Sequence, residues 1–162
     1  MSNWTGQVIK IPRNLFSKNQ NLTEISRPGV YFLFGFNEEN PDDKLVYVGE
    51  TDKLNQRIAQ HLKNPDKSFA ETIICFSSKD ENLTVSHTKY LEQKLIQNAS
   101  KSSEYRLVNS TGGNSISLPK MVRDEMDTFY DNLTILLPTP GFSILNFNSP
   151  NYRRKIGVKR GY

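Results

Sequence analysis

Two short runs of apolar and aromatic residues decide the fold: GVYFLF at 29–34 and LVYVG at 45–49. β-Branched and aromatic residues favour strands. The segment 37–43 between the two runs contains Asn, Pro and Asp, which favour turns. The sequence therefore predicts a β-hairpin with a long tip, whose arms are residues 30–36 and 45–48.

A helix is predicted directly after the hairpin. Leu54, Ile58 and Leu62 recur at a spacing of four residues, which places them on one face of a helix. Thr51 and Asp52 precede them, and both residue types are good N-caps. The first apolar stripe after the hairpin therefore belongs to a helix that packs on the sheet.

The remaining pattern completes an α+β domain. Residues 7–11 predict a short edge strand that stops at Pro12, whereas 13–25 indicates no more than a turn of helix. Further elements are predicted as a strand at 71–76 and helices at about 84–100 and 119–132. The expected fold class is α+β, with a small three-stranded antiparallel sheet flanked by helices.

Four regions follow from this order. They are an N-terminal extension with a short edge strand at 1–27, the main domain at 28–114, a C-terminal helix with a further strand at 115–137, and a basic tail or linker at 138–162.

Composition excludes several classes of protein. The chain has 162 residues, of which 36% are hydrophobic and 23% charged, enough apolar side chain to form one globular core. No apolar stretch is long enough to span a membrane, and the N-terminus does not resemble a signal peptide, so a cytoplasmic location is expected. The single cysteine, Cys75, excludes an intramolecular disulfide and a cysteine zinc cluster. Two histidines, His61 and His87, are too few for most zinc enzymes.

The net charge of +4 is concentrated near the end of the sequence. The last fourteen residues contain no acidic side chain and carry five basic ones, Arg153, Arg154, Lys155, Lys159 and Arg160. Such a cluster could bind nucleic-acid phosphates through a salt-sensitive, sequence-independent attraction. A solvated terminal segment explains the same composition equally well, so the charge alone leaves both readings open.

Two pairs of residues are candidates for chemistry near the hairpin. Tyr31 and Tyr47 lie one on each arm, although half-buried tyrosines are common in sheets. Arg57 and His61 are four residues apart on the predicted helix and therefore lie side by side. An arginine at the rim of a cleft suits a phosphate, since its guanidinium donates a planar fork of hydrogen bonds. An exposed surface pair is the alternative.

Glu92 is a charged residue on the apolar face of its predicted helix. A helical projection places it on the apolar face, close to Val85 and Ala99. A carboxylate facing a core is costly unless a cation pairs with it. That cation is either an arginine or a hard metal ion such as Mg²⁺, which prefers oxygen ligands. Asn109, before a Ser-Thr-Gly-Gly segment, either forms a turn or supports the site.

The order of these residues is more specific than any one of them. Along the chain follow GVY at 29–31, YVG at 47–49, and then Thr51, Arg57, His61, Glu92 and Asn109. This order resembles the GIY-YIG nuclease domain, whose name records the two tripeptides. The similarity covers about residues 29–114, with Val in place of Ile as a conservative change in each strand.

The resemblance implies a reaction and a role for each residue. Family members hydrolyse DNA phosphodiesters, so Tyr31 would help to deprotonate the attacking water, with Tyr47 and His61 in the same proton network. Arg57 would favour the phenolate form of the tyrosine and stabilise charge on the phosphate in the transition state. Glu92 would hold one Mg²⁺ or Mn²⁺ ion, and Asn109 would support the site.

The resemblance also implies partners. DNA is the expected substrate, with an attached domain or a partner protein supplying target specificity, since the regions before and after the domain resemble bacterial proteins in which another domain follows. Two other functions remain open: a non-catalytic nucleic-acid-binding module, and an RNA-cutting toxin or defence effector. The oligomeric state is not predicted, although one site needs a dimer or two encounters to cut both strands.

Overall fold

The computed structural model describes residues 6–79, 83–109 and 117–136. Its strands are β1 (Gly6–Pro12), β2 (Gly29–Asn37), β3 (Asn40–Thr51), β4 (Ala70–Ser78) and β5 (Arg106–Leu107). Its α-helices are α1 (Phe16–Asn19), α2 (Leu54–Leu62), α3 (Val85–Ala99) and α4 (Lys120–Leu136). Short 3₁₀ turns occur at Arg13–Leu15, Thr23–Ile25 and Pro65–Lys67.

The strands form one five-stranded sheet in the order β1-β4-β2-β3-β5. The central strand β2 is antiparallel to both of its neighbours, β3 and β4, and β1 is antiparallel to β4. β5 is parallel to β3. The predicted α+β class is therefore confirmed, but the sheet has five strands and not the expected three. β1 was expected as a short edge strand, whereas β5 spans two residues and shows no periodicity from which to predict it.

Alternation along β2 divides the core between the two faces of the sheet. Val30, Phe32 and Phe34 face α3 and α4 and belong to the larger apolar cluster. Tyr31 and Leu33 point to the opposite face, where they pack with α2 and the N-terminal segment. This is the expected consequence of a side-chain period of two. It places Tyr31 between the sheet and α2.

Two boundaries near the hairpin differ from the prediction. β3 begins at Asn40, so residues predicted as a long tip extend the strand and leave a short turn. The Arg106 guanidinium binds the Asp43 carboxylate at 2.8 Å, which stabilises this polar end of β3. α2 begins at Leu54 with Lys53 as its N-cap residue, not Thr51 or Asp52. Thr51 is the last residue of β3, and its hydroxyl instead accepts a hydrogen bond from the Lys53 amide.

The start of α3 was predicted correctly. The Thr84 hydroxyl accepts a hydrogen bond from the His87 amide, and the His87 ring accepts one from the Thr84 amide. These reciprocal bonds satisfy two amides at the start of the helix. One of the two histidines therefore has a structural role.

The N-terminal segment is part of the same packed unit. β1 pairs with β4 along its length, and Phe16 and Ile25 are buried in the cluster beneath α2. No helix in the described part of the chain is long and apolar enough to cross a membrane.

Candidate active site

Tyr31, Tyr47 and His61 form a compact cluster on the α2 face of the sheet. The Tyr31 hydroxyl and the His61 Nε2 atom are hydrogen-bonded at 2.7 Å. The His61 ring centroid is 5.5 Å from that of Tyr31 and 5.0 Å from that of Tyr47. Tyr31 is fully buried, His61 is 6% exposed and Tyr47 is half-buried. Tyr47 is therefore the most solvent-accessible side chain of the three.

Gly49 makes room for the Tyr31 ring. The two residues face each other across the β2–β3 ladder. A Cβ atom at position 49 would overlap the ring and hydroxyl of Tyr31. Gly49 of the YVG tripeptide is thus required for the position of Tyr31 in the GVY tripeptide.

Arg57 lies at the exposed edge of the cluster and connects its members electrostatically. Its Nη1 atom donates to the Gln60 side chain at 3.1 Å. Burial raises the pKa of Tyr31 and of Tyr47, and the positive charge of the nearby Arg57 opposes that rise in both. The prediction that Arg57 and His61 lie side by side at a rim holds for Arg57, whereas His61 turns inward.

Burial is the largest influence on the ionisation of the cluster. It raises the pKa of Tyr31 far above its usual value, and the neighbouring Tyr47 adds to this effect. Burial also lowers the pKa of His61 to about 4, with the Arg57 and Lys67 charges acting in the same direction. His61 is therefore neutral near pH 7 and has a lone pair with which to accept a proton.

Glu92 lies at the margin of the helix face on which the sequence placed it. It is half-buried, and Val85, expected on the same buried face, is 47% exposed. The difference arises because Val85 is the first residue of α3, before the residues through which the helix packs, such as Leu91 and Leu95. Burial, followed by the charge of Glu50, raises the pKa of Glu92 to about 7. Its charge raises the pKa of both tyrosines, so it is within electrostatic reach of the cluster.

Glu50 is a second carboxylate that the sequence reasoning missed. It follows Gly49 on β3, and its side chain accepts a hydrogen bond from the fully buried Thr88 hydroxyl at 2.8 Å. Alternation along β3 could have identified it, because Glu50 falls on the same face as Val46 and Val48 and therefore points toward α3.

Carboxylate oxygens of this kind fit a single hard cation. Burial is the largest cause of the raised pKa of Glu92, and the negative charge of Glu50 adds to it. A divalent ion would offset the repulsion between the two carboxylates. In the part of the chain that the structure describes, no three His, Cys, Asp or Glu side chains converge as a metal cage. Mg²⁺ commonly binds through one or two carboxylates and retains several waters, so this donor set is sufficient for it.

Asn109 is bound to the sheet backbone. Its side-chain amide donates to the Val48 carbonyl at 2.7 Å and accepts from the Val48 amide at 3.0 Å. Beyond the end of β5, the Asn109 side chain thus makes the hydrogen bonds to Val48 that a neighbouring strand would otherwise make. These bonds fix the backbone between Tyr47 and Gly49. The structure places Asn109 as a support, and the Gly-containing turn predicted after it lies outside the described residues.

The basic tail residues Arg153, Arg154, Lys155, Lys159 and Arg160 also lie outside the described residues. Lys67, which the sequence reasoning did not select, lies instead within the site. Its Nζ atom is 4.6 Å from the Tyr47 ring centroid. The apolar pattern of α2 ends before this residue, so periodicity carried no signal for it.

Comparison with known protein families agrees with this geometry. Residues 27–113, more than half of the chain, match the GIY-YIG catalytic domain. The chain belongs to the GIY-YIG family. Neither the comparison with characterised proteins nor that with solved structures gave a match. The family consists of nucleases that act on nucleic acid and generally use divalent metal ions, so this chain carries a nuclease domain.

The raised pKa of Glu92 predicts a pH-dependent stability. The folded state holds the Glu92 proton more tightly than the unfolded chain, so this contribution is complete below about pH 4.5 and is lost as the pH rises to about 7. Glu92→Gln lacks it. In EDTA, the melting temperature of the variant relative to wild type should rise by about 3–6 °C between acidic and alkaline buffer.

Thermal unfolding followed by circular dichroism measures this difference. His61 is present in both proteins, so its opposite pH dependence cancels. A difference that stays constant with pH would mean that Glu92 ionises normally.

Proposed function

We propose that this chain is a metal-dependent DNA endonuclease that uses one divalent ion, with Tyr31, Tyr47, Arg57, His61 and Glu92 as its catalytic residues. One observation carries the proposal: the Tyr31 hydroxyl is hydrogen-bonded to a neutral, buried His61, and the charges of Arg57 and Glu92 both act on this tyrosine.

The buried pair supports a proton relay. A phenol whose pKa is raised by burial is a poor base by itself. In the relay, the phenol oxygen of Tyr31 accepts a proton from the attacking water while its own proton passes to Nε2 of His61. The proton is conserved, and no standing phenolate is required. This direction needs the His61 tautomer with its proton on Nδ1.

A bound phosphate would make the relay easier. In the absence of substrate, the positive charges of Arg57 and Lys67 lower the pKa of His61. A phosphate anion beside these side chains offsets their charge, which raises the pKa of His61 as the substrate binds. Tyr47 closes the solvent side of the pair and adds a second hydroxyl to the same network.

Arg57, and a divalent ion held by Glu92, would stabilise the phosphate as its negative charge increases. The Arg57 guanidinium offers several donors to the non-bridging oxygens and does not reorganise in the transition state. Glu92, with Glu50 nearby, would hold a Mg²⁺ or Mn²⁺ ion, which polarises the scissile phosphate and stabilises the leaving oxygen. Asn109 keeps the β3 backbone in place between Tyr47 and Glu50.

The choice of DNA over RNA is open to a direct test. Matched DNA and RNA duplexes and single strands of one sequence are incubated with the protein in Mg²⁺. Metal-dependent cutting of DNA is the expected result. Cutting confined to RNA would favour the toxin or defence effector, and binding without cutting would favour a non-catalytic module.

Four further proposals accompany this function. The regions divide at about residues 28, 115 and 138, a further domain or partner supplies target specificity, and the protein acts in the cytoplasm. The basic tail, including Arg153 and Lys159, would add salt-sensitive affinity for the DNA backbone.

A further inference from the structure

Lys67 is a second cationic side chain at the cluster, separate from Arg57. Its Nζ atom lies over the Tyr47 ring at 4.6 Å from the centroid, a distance at which a cation is attracted to the ring face. Its charge also lowers the pKa of His61, so Lys67 acts on both Tyr47 and His61. Tyr47 is half-buried, which leaves this side of the cluster open to a ligand.

In the described part of the chain, neither Lys67 nor Arg57 forms an ion pair with a carboxylate, although the charge of Arg57 acts on Glu92 at longer range. Other basic side chains there do form ion pairs: Lys44 with Glu104, Lys94 with Asp127, Arg106 with Asp43, and Lys120 with Asp124. Two cations without an ion-pair partner, beside a neutral histidine and two neutral phenols, form a site for an anion.

The loop that carries Lys67 is held in place by Arg13. Its guanidinium donates to the carbonyl oxygens of Leu62, Lys67 and Ala70, each at 2.9 Å. These bonds connect the end of α2, the loop and the start of β4. The backbone of Lys67 is therefore fixed, and less backbone freedom is lost when its ammonium group binds a ligand.

We propose that Lys67 binds a backbone phosphate next to the scissile phosphate and so positions the substrate strand across Tyr47. The inference rests on the proposed nuclease function and adds to it a binding residue outside the paired tripeptides and the Arg57–His61 helix. Arg57 binds the reacting phosphate, whereas Lys67 binds its neighbour and sets the register of the strand.

Salt-dependent binding tests this role without requiring cleavage. The affinity for a fluorescent DNA duplex is measured in EDTA over a range of salt concentrations for wild type, Lys67→Met and Lys67→Arg. Methionine preserves packing over Tyr47 and removes the charge. Lys63→Met is the matched control, since Lys63 is an exposed lysine at the end of α2.

Loss of one phosphate contact should reduce the slope of log affinity against log salt by about 0.9, with affinity falling about tenfold at low salt. Lys67→Arg should retain the slope, and Lys63→Met should match wild type. In Mg²⁺, Lys67→Met should raise KM more than it lowers kcat.

An unchanged slope in a folded Lys67→Met protein overturns the proposal, because Lys67 would then only cover the Tyr47 ring. Equal losses for Lys67→Met and Lys63→Met also overturn it, since any nearby charge would have the same effect. If wild type binds DNA but never cuts it, the nuclease function fails while the slope comparison still decides the role of Lys67.

Discussion

The Glu92→Gln variant is expected to cut DNA at least about 1,000-fold more slowly than wild type in Mg²⁺, with unchanged duplex affinity in EDTA. A bound metal contributes several kcal/mol to transition-state stabilisation in hydrolytic sites of this kind, and about 1.4 kcal/mol corresponds to tenfold in rate. Glutamine keeps the shape of Glu92 and removes its negative charge. Single-turnover cleavage of an end-labelled duplex measures the loss.

Glu71→Gln is a suitable control, because Glu71 is exposed on β4. A Glu92→Gln rate within a few-fold of wild type, at every Mg²⁺ concentration, would exclude Glu92 as the metal-binding carboxylate. A partial loss that extra Mn²⁺ restores would instead indicate that Glu50 can hold the ion without it.

Arg57→Ala is expected to produce a loss of similar size by a different route. Removing an arginine that binds a transferring phosphate typically costs about 1,000-fold or more in rate. The loss of its charge also raises the pKa of Tyr31 and Tyr47, because that charge lowers both in the wild type. Single-turnover cleavage of the same end-labelled duplex measures the loss.

Arg57→Lys should recover only part of the rate, since an ammonium group does not form the planar fork of hydrogen bonds. Arg123→Ala on the exposed side of α4 is the matched control. Equal rates for Arg57→Ala and the control would show that Arg57 does not bind the reacting phosphate.

The hairpin and its helices were predictable because they depend on regular periods. Alternation along β2 separates Tyr31 from Val30 and Phe32, and it does so in the structure. β5 was not predictable, because Arg106–Leu107 is defined by pairing with β3 and not by a local pattern. The α2 boundary was missed because Thr51 extends β3, so tertiary pairing overrode its preference for a cap.

The sequence identified site residues only where they lie in a regular strand or helix, or where they match the order of residues in the GIY-YIG domain. Tyr31, His61 and Glu92 belong to strands and helices whose pattern can be read from the sequence. Glu50 lies on a strand whose alternation also predicts its face, whereas Lys67 gains its position from Tyr47, which is distant along the chain. Contacts of this type follow from packing, which a single sequence does not specify.

Plasmid nicking by wild type and Tyr31→Phe, in Mg²⁺, Mn²⁺ and EDTA, tests the nuclease proposal most directly. The expected result is nicking by wild type that requires a divalent ion and falls by about 100-fold or more in Tyr31→Phe, since this change removes the hydroxyl that connects water to His61. Metal-dependent nicking at the wild-type rate by a folded Tyr31→Phe protein would contradict the relay. Absence of nicking by wild type on any substrate, with DNA binding retained, would contradict the nuclease function itself.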